Sequence, residues 1–281
     1  FIHGASDCMT KGENHLRGGS VTVKIYPRIK PGDPAYGVDY HERTRNMLRF
    51  YRSEWAQIRE VLETPEYFRI KLIRNYIYKG PVLEWYTRIK LKLENNYAIY
   101  DRYVPRDAVV TDIGCGYGYL AYMLGFISAK RQILGIDYDA DKIRLAQQCI
   151  SAQQHIRFEA ADAAAYPFKP ADVFIFSDML HYLPEEKQEA LLLRCIGLLN
   201  PGGKILIRDA DRDMDHRHRR TRLTEFFSTR TGFNKSDHLN LYFFSGTMIR
   251  TLASRCGMDV EVISQSALTS NVLFVMQKKT S

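Results

Sequence analysis

The run Val109-Val110-Thr111-Asp112-Ile113-Gly114-Cys115-Gly116-Tyr117-Gly118 constrains this chain more than any other stretch. A β-branched strand ends in an acid, a loop with glycine at alternate positions follows, and an apolar helix opens at Tyr119. Glycines let a backbone turn sharply and approach a ligand closely. The helix start presents unsatisfied N–H groups to an anionic group. Asp112, at the strand tip, suits a cationic or hydroxylated one. The spacing is G-x-G-x-G with an acid two residues before it, and not the G-x-G-x-x-G of dinucleotide sites. An acid there repels phosphates and welcomes an ammonium, so adenosine without a pyrophosphate fits the turn better. A second apolar strand, Gln132–Asp137, also ends in an acid. That is the expected partner of two ribose hydroxyls in a doubly wound sheet.

From Ala108 the chain alternates strand and helix patterns. Strands are expected near 108–112, 132–137, 156–159, 172–176, 203–208, 258–264 and 271–276. Such alternation predicts a parallel sheet covered on both faces. The last two strands have a short connection, so the final one is expected to be antiparallel, at or near an edge. The expected class is α/β: a Rossmann-like, doubly wound, seven-stranded, mostly parallel sheet with its last strand antiparallel, plus an N-terminal helical extension. Upstream, residues 1–40 are rich in Gly and Pro with one strand pattern at 20–25. Apolar positions at helical spacing predict an amphipathic helix over 41–62. Thr64-Pro65 reads as the cap and first turn of a second helix, broken at Gly80-Pro81. A third helix is expected from Val82 to Tyr103. The expected organisation is therefore an N-terminal segment 1–40, a helical linker or cap 41–104, and the α/β domain 105–281.

The ordered blocks DIGCGYGYL (112–120), GIDYDADKI (135–143), AADAAAYP (160–167), ADVFIFSDMLHYLP (171–184) and LNPGGKILIRD (199–209) resemble a class I S-adenosylmethionine (SAM)-dependent methyltransferase over about residues 105–277. The resemblance implies SAM as the cofactor. It implies that Asp112 and the loop Gly114, Cys115, Gly116 and Gly118 hold its methionine part. Asp137 would bind the ribose and Tyr138 would pack near the adenine. Asp162, with the backbone of Ala163, would address the adenine amino edge. Ser177 and Asp178, with Met179, would close the site. Cys115 reads as a small filler, because nothing near it in sequence supplies a base or cation to form a thiolate.

A second resemblance covers the opening segment. FIHGA (1–5), MTKG (9–12), LRGGSVTVKI (16–25) and RIKP (28–31) resemble the C-terminal end of a lysophospholipid acyltransferase domain. That family's catalytic histidine–acid and acceptor motifs are not in this sequence, so no acyltransferase activity is expected. The combination resembles the C-terminal part of bacterial fusions of an MMPL-type transporter, an acyltransferase and a methyltransferase. This implies a membrane-associated parent and a lipid-like acceptor. The sequence begins at Phe1, which is the expectation for a piece of a longer polypeptide.

Five scattered cysteines without a C-x-x-C pair suit reduced thiols in a cytoplasmic setting, and no metal site is expected. No apolar run reaches the length of a membrane span. The net charge of +8 allows an anionic partner. Nucleic acid is not expected as substrate: Ser177-Asp178-Met179-Leu180 stands where a base-amino methyltransferase would carry [DN]-P-P-[YF]. The aromatic and basic helices also allow association with a membrane surface.

Methyl transfer asks the protein to align an acceptor, exclude water and manage one proton. Acceptor groups belong at the carboxyl ends of the fourth and fifth expected strands. His181 is the candidate base, since imidazole titrates near neutrality. Arg217, Arg219 and Arg220, in a long polar insertion after the fifth strand, are expected to meet an anionic group on the acceptor. Tyr97 and Tyr100 are expected as an aromatic wall. The reading is therefore a methyltransferase acting on a small-molecule or lipid-like acceptor at a hydroxyl. Its alternative is a non-catalytic docking or regulatory module of a larger protein. Oligomeric state is not legible.

Overall fold

The computed structural model describes residues 1–9, 18–93, 96–211, 213, 242, 244–264 and 271–278. The chain divides into two compact units, Phe1–Tyr67 and Phe68–Ser281.

In the first unit, β1 (Ile2–His3) pairs antiparallel with β2 (Thr22–Val23), and a short α1 (Ala5–Cys8) follows β1. The expected strand at 20–25 is thus only two residues long, because β1 offers it only two partners. Helix α2 (Tyr40–Leu62) opens with a reciprocal cap. The Asp39 carboxylate accepts from the Glu42 N–H at 2.8 Å, and the Glu42 carboxylate accepts from the Val38 N–H at 3.0 Å. At the other end, Glu63 accepts from Arg59 Nε at 2.8 Å and meets His3 Nε2 at 3.3 Å.

Helix α3 (Pro65–Arg74) carries the chain into the second unit, and α4 (Pro81–Leu93) and α5 (Tyr97–Tyr103) follow. The single helix expected over Val82–Tyr103 is therefore two. Asn96 stands at the N-cap of α5 through its backbone, its carbonyl accepting from the Ile99 and Tyr100 N–H groups at 3.0 and 3.2 Å.

The sheet has seven strands: β3 (Val109–Ile113), β4 (Gln132–Asp137), β5 (Ile156–Ala160), β6 (Ala171–Ser177), β7 (Leu199–Ala210), β8 (Met258–Ser264) and β9 (Asn271–Lys278). Their order is β5-β4-β3-β6-β7-β9-β8. All neighbours are parallel except β9, which runs antiparallel to both β7 and β8. The expected mostly parallel sheet with an antiparallel last strand is therefore what forms, with β9 one strand in from the edge. β7 extends beyond the expected 203–208 on both sides. The central runs Phe174-Ile175-Phe176 and Ile205-Leu206-Ile207 are fully buried, as strands covered on both faces require. Helices α6 (Tyr119–Ile127), α7 (Ala140–Gln147), α8 (Glu185–Gly197) and α9 (Gly246–Arg255) supply the covering layers. The order of strands reverses between β3 and β6, so the ligand crevice of such a sheet opens outside their carboxyl ends.

One buried cation positions that crevice. The Arg131 guanidinium, fully inaccessible, donates to the carbonyls of Val104, Pro105 and Leu124 and to Asp101 at 2.6–3.0 Å. It ties the end of α5 to α6 and β4, and so holds Tyr100 over the sheet.

Candidate active site

The glycine loop joins β3 to α6 in left-handed backbone. Gly114 has φ 77°, and a Cβ there would lie 2.5 Å from Met179 Cβ. Gly118 has φ 77°, and a Cβ there would lie 2.5 Å from the Phe158 ring. By contrast, a Cβ on Gly116 would meet nothing within 4 Å, so the middle of the loop faces open space. The Gly114 and Cys115 N–H groups both donate to the Ile136 carbonyl, at 2.8 and 3.0 Å. The Gly116 N–H donates to Asp137 Oδ2 at 2.8 Å, and the Asp139 N–H to Asp137 Oδ1 at 2.9 Å. The acid at the tip of β4 therefore braces the loop from below. Each of its oxygens keeps a further lone pair for a hydroxyl.

Asp112 is buried, and its Oδ2 has no hydrogen-bond partner among the described residues. Burial, with the nearby Asp137 carboxylate second, pushes its acid up to about 7. A buried carboxyl lacking a donor is the environment an ammonium group would satisfy. The Cys115 thiol is pushed well above its usual value by burial, and Sγ lies 3.8 Å from the Gly116 carbonyl. This agrees with a filler and not a nucleophile.

Helix α4 and the turn before it grip the outside of the loop. The Tyr76 hydroxyl donates to the Tyr117 carbonyl at 2.6 Å, and Thr87 Oγ1 lies 2.8 Å from the Tyr119 hydroxyl. The Tyr86 ring meets that of Tyr117 edge-on at 6.2 Å. Nothing local in the sequence marks which of its many tyrosines faces the loop.

Tyr138 follows Asp137 and is 57% exposed. Asp162 is exposed and closes its own turn: Oδ1 accepts from the Ala164 N–H at 2.8 Å. The Ala163 carbonyl accepts from Arg194 at 3.0 Å. Tyr138 lies just beyond the tip of β4, and Asp162 and Ala163 just beyond that of β5.

The other side of the crevice is built from paired side chains. The Tyr100 hydroxyl donates to Ser177 Oγ at 3.0 Å, and burial pushes the tyrosine's pKa up. Asp178 alone among the described non-glycine residues has positive φ, at 52°. Its N–H donates to the Arg208 carbonyl at 2.7 Å, and its carboxylate pairs with the Arg208 guanidinium. His181 sits in the 3₁₀ turn Leu180–Tyr182, 2% exposed. Its Nδ1 lies 2.7 Å from Asp209 Oδ1, and its backbone N–H donates to Asp209 Oδ2 at 3.2 Å. Asp209 lies at the end of β7, 28 residues from its partner. Neither Asp209 nor Arg208 was singled out from sequence. Tyr97, the first residue of α5, is half-buried. Arg217, Arg219 and Arg220 lie outside the described residues.

Residues 110–203 match the family profile described as "Methyltransferase domain". This segment carries a SAM-dependent methyltransferase domain. Among curated relatives of this domain is the tetracenomycin polyketide synthesis 8-O-methyl transferase TcmO of Streptomyces glaucescens. It is 37% identical over 68 residues, 24% of this chain and 20% of that protein. The carboxy-S-adenosyl-L-methionine synthase of Shewanella amazonensis is 30% identical over 114 residues, 39% of this chain and 47% of that protein. The chain thus spans less than half the length of these relatives. Among solved structures, human N-acetylserotonin methyltransferase in complex with SAM superposes with a TM-score of 0.53 at 22% identity, covering 73% of this chain and 58% of that one. The pyocyanin biosynthetic protein PhzM superposes at 0.54 and 16% identity, covering 73% and 61%. At such identities these likenesses show the fold. The cofactor of this domain class is SAM, and the orphaned Asp112 oxygen, the open face at Gly116 and the braced Asp137 fit it. Among the described residues no helix is long and apolar enough to cross a membrane.

Proposed function

We propose that this domain methylates a hydroxyl of a small-molecule or lipid-like acceptor, with His181 as the general base. The observation that carries the reading is the buried contact of His181 Nδ1 with Asp209 at 2.7 Å, beside the crevice. Bound SAM would supply an electrophilic methyl on a sulfonium leaving group. Asp112 would take the ammonium of its methionine part and Asp137 its ribose hydroxyls. Gly114, Cys115, Gly116 and Gly118 would supply the backbone cradle. Tyr138 would lie along the adenine, with Asp162 and Ala163 at its edge, and Ser177 and Asp178 would close the site.

On the acceptor side, an Nδ1–H held by Asp209 leaves Nε2 as the basic nitrogen. The Asp209 carboxylate stabilises the imidazolium that forms when Nε2 takes the hydroxyl proton. Tyr97 and Tyr100 would wall the acceptor, and Arg217, Arg219 and Arg220 would meet an anionic group on it. O-methyl transfer in the name of the Streptomyces relative supports a hydroxyl target. Residues 1–40 are read as the remnant of an acyltransferase-like domain, and the chain as part of a membrane-associated polypeptide.

The test pairs calorimetric SAM titration, with Asp137→Ala as control, with radiolabelled methyl transfer to a panel of aryl and lipid hydroxyls. Saturable binding lost in the variant, together with label in a hydroxyl-bearing product, is expected. SAM binding with no transfer to any hydroxyl would overturn the acceptor assignment and point to a docking module.

A further inference from the structure

Helix α4 has two faces of opposite character. Leu83, Thr87 and Leu91, spaced four apart, are buried at 7, 0 and 5% exposure. This is the face that meets Tyr119 beside the glycine loop. Val82, Trp85 and Ile89 share the reverse face at i, i+3 and i+7 and are 65, 58 and 38% exposed. Tyr78, just before the helix, is 83% exposed, and Ile70 on α3 is 52% exposed. Exposed large apolar groups standing singly are ordinary, but a contiguous run of them is not.

The segment that carries the stripe is basic. Residues 68–93 hold seven Lys and Arg side chains and a single acid, Glu84, a net +6 of the chain's +8. Arg88 and Lys92 are exposed and flank Trp85 and Ile89 on the helix wheel. Glu84 is already paired with Arg88 at 2.7 Å.

We infer that the outer face of α3 and α4 is an interfacial surface that binds an anionic lipid bilayer. Tryptophan and tyrosine beside aliphatic groups seat at the headgroup boundary, and the surrounding cations meet anionic headgroups. A second copy of the chain is disfavoured as occupant, because joining the two faces would bring the Arg88 and Lys92 cations of one copy against those of the other. The location matters for the enzyme. The stripe lies one helix thickness from the contacts that brace the cofactor loop, so a bound bilayer lies next to the crevice. The inference does not depend on the identity of the acceptor.

Flotation of the whole chain with phosphatidylcholine vesicles, with and without about a third phosphatidylglycerol, tests it. Association with the anionic vesicles, at least about tenfold tighter than with the neutral ones and weakened by salt, is expected. Trp85→Ser with Ile89→Ser should reduce it about tenfold or more, since two large apolar groups leave the interface. Arg88→Gln with Lys92→Gln should reduce it about fivefold per charge removed. SAM titration of each variant reports an intact fold independently of any acceptor, and the charge pair keeps the test available should the apolar pair not fold. Absence of binding to anionic vesicles overturns the inference, as does equal binding to both vesicle types. Concentration-dependent self-association abolished by Trp85→Ser, without vesicle binding, overturns it in favour of a second copy.

Discussion

The two sides of the crevice are built differently. On the side of β3 and β4, an acid at each strand tip and a glycine loop do the work, and the contacts run through backbone N–H groups. Gly116 to Asp137, and Gly114 and Cys115 to the Ile136 carbonyl, are of this kind. On the side of β6 and β7, the contacts join side chains far apart in sequence. His181 meets Asp209, Arg208 meets Asp178, and Tyr100 meets Ser177 across 77 residues. A cofactor common to a whole class needs a fixed backbone cradle. An acceptor peculiar to one enzyme is met by side chains, which can change without altering the turn that carries the cofactor.

If the division is real, variants should separate the two functions. The largest separation is expected at the His–Asp pair. His181→Gln should lower methyl transfer about 10²- to 10⁴-fold, the usual worth of a positioned general base. Asp209→Asn should act in the same direction, because an amide cannot stabilise the imidazolium. SAM affinity by calorimetry should hold in both. Equal loss of binding and turnover would break the comparison.

The next effect lies on the cofactor side and carries a pH signature. The acid of Asp112 is raised to about 7 in the folded protein, above its value in the unfolded chain. Its contribution to stability is therefore present in acid and lost as pH rises through about 7. The unliganded protein should become less stable over that window, and Asp112→Asn should remove the trend. SAM affinity should move the other way and rise with pH, because the ionised carboxylate pairs with an ammonium. Asp112→Asn should weaken SAM about ten- to hundredfold, as expected for a lost hydrogen bond to a charged group. Thermal melts and titrations from pH 5 to about 8 would check both trends. A stability profile that rises across the window would contradict the environment assigned to Asp112.

The smallest effect sharpens the boundary. Tyr100→Phe removes one hydroxyl and its bond to Ser177, worth about 1 kcal/mol. It should change the acceptor KM severalfold and leave SAM binding alone. A large loss of SAM affinity would place Tyr100, with Ser177, at the cofactor and not at the acceptor.

The same physics explains what could be read in advance. The strand tips at Asp112 and Asp137 and the glycines between them are local: a turn, its positive φ angles and the acids beside it all lie within about one β-α-β unit. The sheet, with its antiparallel β9, followed from runs of apolar residues and the lengths of their connections. The break at Asn96 in the expected third helix escaped a reading based on apolar spacing. So did the shortness of β2, whose length is set by its partner. The ten tyrosines and phenylalanines of residues 41–104 look alike in sequence, yet only some of them touch the loop. Tyr76 and Tyr86 are among those that do.

What the sequence determined by itself was the fold class, the glycine loop with its flanking acids and the position of His181 after the fourth strand of the sheet, since each rests on short-range pattern and periodicity. What only the tertiary structure decided was the partner of each side chain on the acceptor side and which face of α4 stays in water. Register and packing bring Asp209 to His181, Arg208 to Asp178 and Leu83 under the helix. Those pairings depend on how separate strands and helices align in space, and no local run of residues encodes that alignment.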